Sequence, residues 1–490
     1  MTTALGVDEY RDLLTAALPD ATDADTVEPS LHTLFTPDSH RSALFVDNTV
    51  VRGGRGVGKT FWYRSLLDET LRDVAANEYG IERLRRLEVA AGHGAALEPD
   101  LYPGPGVVRA LMEDGVAPYD LWNAVLMTAL GQSEVIALPE WADRIAWVRA
   151  HPGDRDRTVA RIDREAQQTQ TTRLVLFDAL EHLHRDRAIA DRLVGGLLEL
   201  ALAMRLGTRN IRCKIFIRPD MFDGARQHFP DASKLTSNAS SLRWSRANLY
   251  GLLFHYLGNH DSEQAARFRE LTGGWTERTR GRFELSATLK GDADIQADQF
   301  TVLAGPYMGA NYRKGNTYTW LPNHLMDGVE EVSPRSFLAA LSEAVEVTRG
   351  TYAGHEFPLH HEGIRRGVQQ ASTTRVGEVR EDIPWVRWAI EPLGGTQVPM
   401  DEESLLAQWA EADLAGILRR EAERAEKSGD ERTVRTGPRN PDSPLLLIEE
   451  LIALGVMRRR RDGRIDLPDV YRIAFSIGRK GGVPKVRATH

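Results

Sequence analysis

The run Gly53-Gly54-Arg55-Gly56-Val57-Gly58-Lys59-Thr60 sets glycines, a lysine and a hydroxyl at the spacing G-x-x-x-x-G-K-T. The chemistry that this spacing fits is the binding of a polyphosphate. Glycines let successive backbone N–H groups turn inward around an anion, a curl that side chains would obstruct. Lys59 brings a mobile charge for the β- and γ-phosphates, and the Thr60 hydroxyl can ligate Mg²⁺. A helix beginning at this point, through Phe61, aims its free donors and positive dipole end at the same anion.

Three further residue groups could complete a reaction centre. Leu174-Val175-Leu176-Phe177-Asp178 reads as a buried strand ending in a carboxylate. At the end of a strand expected next to the P-loop strand, Asp178 is a second Mg²⁺ ligand after Thr60; by itself it would read as a helix cap. Position 179 is alanine, so the residue directly after Asp178 cannot polarise a water. Glu181 is the nearest carboxylate that could reach a γ-phosphate, and it reads equally well as an acidic residue in a first helical turn. Arg218 follows the strand-like Ile211–Ile217 and either senses the γ-phosphate or pairs with Asp220. Ser333-Pro334-Arg335 starts a helix, with Ser333 as cap and Pro334 at its first position. Arg335 there either reaches back to the phosphates or is an ordinary exposed arginine.

The elements that must position these groups follow from periodicity. Leu44–Val46 and Val50–Val51 are strand material before the loop, and Phe61–Arg72 has helical spacing after it. Arg86–Ala90 is a further strand, 92–118 an irregular excursion rich in Gly and Pro, and Tyr119–Leu130, Trp141–Ala150 and Ala188–Leu206 are helices. Alternating strands and helices over 44–230 predict a parallel α/β sheet. Strand signals then fade, so 231–350 reads as a helical lid and 351–420 as a further helical region. Residues 1–43 are an N-terminal extension packing on the first domain, and 421–443 a charged linker. Residues 444–490 read as a separate unit: a helix at Leu445–Leu454, two strands flanking the turn Asp462-Gly463, and a helix over Asp469–Ile477, the order of a winged helix.

Size and composition bound the rest. A chain of 490 residues, 42% hydrophobic and 27% charged, is globular and needs more than one core. No apolar stretch approaches the roughly 20 residues of a membrane span, since Leu193–Leu206 is broken by Glu199 and Arg205. The first residues lack the pattern of a signal peptide, and the one cysteine, Cys213, excludes a disulfide framework. Both point to the cytoplasm. The formal net charge is −8, yet residues 456–490 hold ten Arg/Lys against three Asp. Arg458–Arg461, then Arg479, Lys480, Lys485 and Arg487, form a basic surface for a phosphate backbone or for a neighbouring subunit.

Taken together, the P-loop, the Phe177–Glu181 element, the strand ending on Arg218, the Pro334-Arg335 lid helix and the terminal winged helix resemble AAA+ and STAND-type P-loop ATPases of bacteria (ASCE class). The layout is similar to that of origin-recognition initiators and of ATPases in anti-phage and mobile-element gene clusters. The resemblance implies an ATP-binding, Mg²⁺-dependent and hydrolysing switch, with hydrolysis slow or partner-triggered because position 179 is not acidic. It implies catalytic roles for Lys59, Glu181 and Arg218, a homo-oligomer, and a protein effector encoded nearby. Alternatives are a nucleotide-controlled DNA-binding regulator or loader, and a scaffold that binds ATP and barely hydrolyses it.

Overall fold

The computed structural model describes residues 4–19, 28–229, 231–278, 281–428 and 437–480. Its centre is a five-stranded parallel sheet: β1 (Val50–Arg52), β2 (Leu87–His93), β3 (Thr172–Phe177), β4 (Ile211–Ile217) and β5 (Ala239–Ser241), in the order β2-β3-β4-β1-β5. Leu174–Phe177 and Cys213–Ile217 are buried on both faces, as a parallel sheet covered by helices on each side requires. Register is fixed by pairs such as Val50↔Ile215 and Val175↔Cys213. Cys213 lies inside this sheet, where burial pushes its thiol up to about 12, so it is a core residue.

The order corrects one expectation. The carboxylate strand β3 is not next to the P-loop strand β1, because β4 runs between them. Strand β5 carries no β-branched signal in Ala239-Ser240-Ser241 and forms because β1 offers it an open edge; Val50 pairs with Ala239. Leu44 and Val46 are buried but not in a strand: residues 38–44 form a 3₁₀ helix. The fully buried Lys214 ammonium collects the carbonyls of Ala43, Phe45 and Asn48 at 2.8, 3.0 and 2.8 Å, which holds that segment as a loop.

The helix after the P-loop is two helices, Lys59–Leu67 and Glu69–Tyr79. Asp68 stops the first and caps the second, its Oδ1 accepting from Leu71 N at 2.8 Å. The excursion after β2 contains the helix Pro105–Glu113, and Pro118–Ala129, Trp141–Ala150 and Arg187–Gly207 follow near their expected places.

The N-terminal helix Val7–Ala17 packs against the lid rather than the sheet. Leu13 and Leu14 share an apolar cluster with Phe254, Phe337 and Leu341. Arg11, almost fully buried, donates to the carbonyls of Pro358 (3.1 Å) and Ala353 (2.7 Å). The reason is the match of faces: an amphipathic helix finds its complement on the lid helices Arg246–Asn259 and Pro334–Thr351.

The last apolar core joins stretches that read separately in sequence. Val376, Ile383, Trp385, Trp409, Leu447, Leu451, Ile465 and Tyr471 belong to one cluster. The helix Pro444–Ala453 and the antiparallel strands Arg458–Arg459 and Ile465–Asp466 keep the order of a winged helix. The segment after them is a four-residue helix, Asp469–Arg472, and then a strand, Gly478–Arg479, paired in parallel with Gln397–Val398. Among the described residues no helix is long and apolar enough to cross a membrane.

Candidate functional site

The glycine loop leaves β1 with Gly53 N still donating to Ile217 O at 3.1 Å. Gly56 (φ 71°) and Gly58 (φ 100°) lie in the left-handed region, the conformation that a curl of N–H groups demands. Gly58 caps the helix that starts at Lys59. The Lys59 ammonium folds back onto the loop and donates to Gly53 O (3.1 Å) and Gly54 O (2.8 Å). It is buried, and burial lowers its pKa against the opposing pull of Glu181 and Asp178.

Although one strand away, Asp178 reaches the loop: its Oδ2 accepts from Thr60 Oγ1 at 2.7 Å. Its backbone is clamped by His93 at the end of β2, with Asp178 N donating to His93 O at 3.0 Å and His93 Nδ1 2.7 Å from Asp178 O. Ala179 then turns left-handed (φ 57°), which throws Glu181 into the same cavity as Lys59 and Thr60. Burial works to raise the Glu181 carboxyl, and Lys59, His182 and Arg218 together overcome it and hold it below its ordinary value. Asp178, buried beside Glu181, is pushed up to about 6 by burial and by that neighbouring charge.

Arg218 lines the cavity while its guanidinium is paired with Asp220, Nε to Oδ1 at 3.0 Å and Nη2 to Oδ2 at 3.2 Å. Of the two readings of the sequence, the pairing with Asp220 is the one observed, at the edge of the cavity. Asp220 is in turn held by Arg187 at 3.0 Å, and its carbonyl accepts from Arg439, which also reaches Asp191. Arg335 also lines the cavity, at the start of Pro334–Thr351, and donates to Glu378 at 2.7 Å. Ser333 stands at the N-cap position of that helix, as expected, but its hydroxyl makes no capping bond; it donates to Gly56 O at 3.1 Å and ties the lid to the loop.

Together Gly56, Val57, Gly58, Lys59, Thr60, Phe61, Arg55, Glu181, Arg218 and Arg335 surround one cavity of about 430 Å³. Gly53 and Gly54 line a neighbouring cavity of about 250 Å³, which shares Arg55 and Arg218 with the first. Sequence reasoning missed the aromatic wall of the larger cavity, formed by Phe35, His40, Trp244 and Tyr256. Phe35 and Trp244 stack at 6.2 Å, and Trp244 Nε1 donates to Val57 O at 2.9 Å. These residues come from the N-terminal stretch and from beyond β5, and no spacing announces them.

Two hard oxygen donors 2.7 Å apart beside a phosphate cradle fit Mg²⁺, which takes few protein ligands and completes its shell with phosphate and water. No cluster of three or more His, Cys, Asp or Glu side chains that could form an all-protein cage occurs among the described residues.

The basic hairpin differs from expectation. Arg458 and Arg460 converge on the fully buried Asp466 at 2.8 and 3.0 Å, and Arg479 reaches it at 3.1 Å. Arg459 is shared between Glu402 and Glu449, both at 2.7 Å. The cause is register: Asp466 pairs with Arg458 across the hairpin, and Asp469 lies just beyond it, 2.9 Å from Arg479. Lys485 and Arg487 lie outside the described residues.

A parallel α/β sheet with a glycine loop between β1 and the first covering helix defines a P-loop NTPase core. No protein-family model and no curated protein matches the chain. Among solved structures it is similar to the ORC2 protein of Aeropyrum pernix in its ADPNP–ADP complexes, at 14% identity and TM-score 0.35, over 87% of this chain and 85% of that one. The ADP form of the same protein is similar at 14% identity and TM-score 0.33, over 92% and 94%. Scores this low carry no argument, so the class rests on the chain's own loop and sheet.

Proposed function

We propose that the protein binds and hydrolyses ATP with Mg²⁺ and works as a nucleotide-controlled switch. The observation that carries this reading is the convergence of Lys59, Thr60, Glu181, Arg218 and Arg335 on one cavity bounded by the glycine loop, with Asp178 bonded to Thr60.

The loop would cradle the phosphates, with Lys59 leaving the Gly53 and Gly54 carbonyls for phosphate oxygens. Thr60 and Asp178 would hold Mg²⁺, which neutralises developing charge on the phosphates when bound. Glu181, its carboxyl held below the ordinary value, lines the cavity and would accept a proton from, or orient, an attacking water. Arg218 and Arg335 would stabilise charge on the terminal phosphate. Phe35, Trp244 and Tyr256 offer the base an apolar face. The same geometry serves a scaffold that holds ATP, and turnover separates the two. Oligomeric assembly and a place among defence or mobile-element ATPases rest on the motif resemblance alone.

Lys59→Ala tests the reading. Titration with a fluorescent ATP analogue should show affinity lower by roughly 100-fold, the loss of a charge-assisted phosphate contact. Because Lys59 is buried on two carbonyls, a circular-dichroism melt should accompany the titration. Wild-type affinity in a folded variant would end the assignment.

A further inference from the structure

Glu378, on the helix His361–Asp382, is the meeting point of three guanidiniums. It accepts from Arg335 Nη1 at 2.7 Å and lies 3.3 Å from Arg55 Nε and 3.4 Å from Arg375 Nη1. Arg55 and Arg335 line the larger cavity, and Glu378 stands behind them. Its carboxylate therefore offsets two of the positive charges that border the space the phosphates would enter.

The same cluster touches the glycine loop and the C-terminal core. Arg375 Nη1 donates to Arg55 O at 3.2 Å, and its Nε to the Tyr471 hydroxyl at 3.2 Å. Arg375 and Tyr471 are both buried and line the smaller cavity, whose wall Arg55 and Arg218 share with the larger. The apex of the loop has no slack. A Cβ added at Gly56 would stand 2.5 Å from Ser333 Oγ and 3.6 Å from Arg375 Nη1. A movement of the loop is thus felt at the start of the lid helix and at Arg375.

We propose that Glu378 is a built-in competitor for the polyphosphate: it holds Arg335 and Arg55 until phosphate takes them over, and the exchange loosens the Arg375–Tyr471 contact that seats the C-terminal core on the glycine loop. The inference rests on the nucleotide reading above and names how that site is regulated. A polyphosphate offers more anionic oxygens than the single carboxylate of Glu378, and the guanidinium fork can take two of them at once. Arginine stems are long enough to exchange partners without a backbone shift. Arg375, the most enclosed of the three, stays with Glu378 and passes the change on to Tyr471.

An internal competitor lowers apparent affinity by the fraction of time that it occupies the site. Calorimetric titration with an ATP analogue and with inorganic tripolyphosphate, at one salt concentration, reads that fraction. Glu378→Gln should bind both probes about 10-fold more tightly than wild type, as removal of a competitor present nine-tenths of the time requires. The gain should vanish in Glu378→Gln/Arg335→Met. A folded Glu378→Gln protein with unchanged or weaker affinity, beside a wild type that binds, would overturn the proposal and leave the nucleotide reading standing. Wild type that binds neither probe would sink both. Where Glu378→Gln fails to fold, hydrogen exchange on the wild type decides: tripolyphosphate should speed exchange over 469–480, and unchanged exchange there with the probe bound would overturn it.

Discussion

Two arginine-rich regions of this molecule use their charge in opposite ways. Around the glycine loop, Arg55, Arg218 and Arg335 each have a carboxylate partner and still line an open cavity. In the C-terminal hairpin, Arg458, Arg460 and Arg479 close on Asp466, which has no exposure at all. The first set can trade one anion for another, because the space for the incoming anion already exists and Arg375 and Arg187 remain on the carboxylates Glu378 and Asp220 left behind. The second set cannot let go without burying an unpaired carboxylate. Charge density alone does not mark an anion site; an accessible volume beside the charge does.

The largest expected effect comes from breaking the second set. Asp466→Asn leaves three guanidiniums converging on a neutral amide and should destabilise the protein by about 3–5 kcal/mol, the cost of breaking a buried pair from one side. Urea unfolding followed by tryptophan fluorescence would register it, since Trp385 and Trp409 share the core of the hairpin. The wild-type Asp466 carboxyl, which burial works to raise, is held below its ordinary value by Arg458, Arg479 and Arg460. Its stabilisation is therefore present above the unfolded pKa and lost as pH falls through the folded one. A neutral outcome for Asp466→Asn would mean that the arginines are not held structurally and are available to a phosphate backbone. Steeply salt-dependent DNA binding would then be the expectation.

The next effect sharpens the first set. Glu181→Gln should keep ATP bound and slow turnover by roughly 100-fold or more, whereas Asp178→Asn should remove the Mg²⁺ dependence of affinity. Single-turnover hydrolysis and titration with and without Mg²⁺ separate the two variants. Unchanged turnover in Glu181→Gln would make the glutamate a turn residue and place the group that activates the water elsewhere.

The same contrast explains what the sequence made legible. The glycine loop, β1, β3, β4 and the helices at 118–129, 141–150 and 187–207 stand close to where local pattern puts them, because glycine φ, strand burial and helical periodicity are properties of neighbouring residues. Strand β5 was not legible, since Ala239-Ser240-Ser241 pairs only because β1 has an open edge. The insertion of β4 between β1 and β3 is a fact of tertiary order that no spacing encodes. Arg375 and Glu378, three apart on a helix, carry no motif that sets them apart in the sequence, yet both are buried against the glycine loop. The hairpin misled for the complementary reason. Four consecutive arginines are conspicuous, and the single aspartate that collects two of them is identifiable only once the strands pair.

The smallest expected effect lies at the seam between the two regions, and it tests whether they behave as one cooperative unit. The turn Asp327–Glu331 joins them: Gly328 N donates to Gly455 O of the C-terminal core at 2.7 Å, while Glu331 pairs with Arg243 at 3.3 Å, just beyond β5. Burial, then the neighbouring Asp327, pushes the Glu331 carboxyl up to about 7, with Arg243 and Lys59 pulling the other way. Asp327 is pushed up to about 6 by burial, against the backbone N–H of Glu331 and the charge of Arg375. An acid whose folded pKa is raised holds its proton longer in the folded state. Its contribution to stability is full below the unfolded pKa near 4 and is lost as pH rises through about 7. Stability should therefore fall between pH 5 and pH 8 at this seam. Glu331→Gln keeps the shape of the side chain and removes the ionisation, so it should stabilise the protein at pH 8 and change little at pH 5. The Glu331 side chain is 22% exposed and faces Arg243, so the expected gain is on the order of 1 kcal/mol. Denaturant curves at both pH values measure it. Equal effects at pH 5 and pH 8 would show that Glu331 is ionised throughout and held by Arg243 as a plain ion pair. A pH-dependent gain confined to the transition of the C-terminal core would show instead that the two regions unfold separately, with the seam belonging to the second.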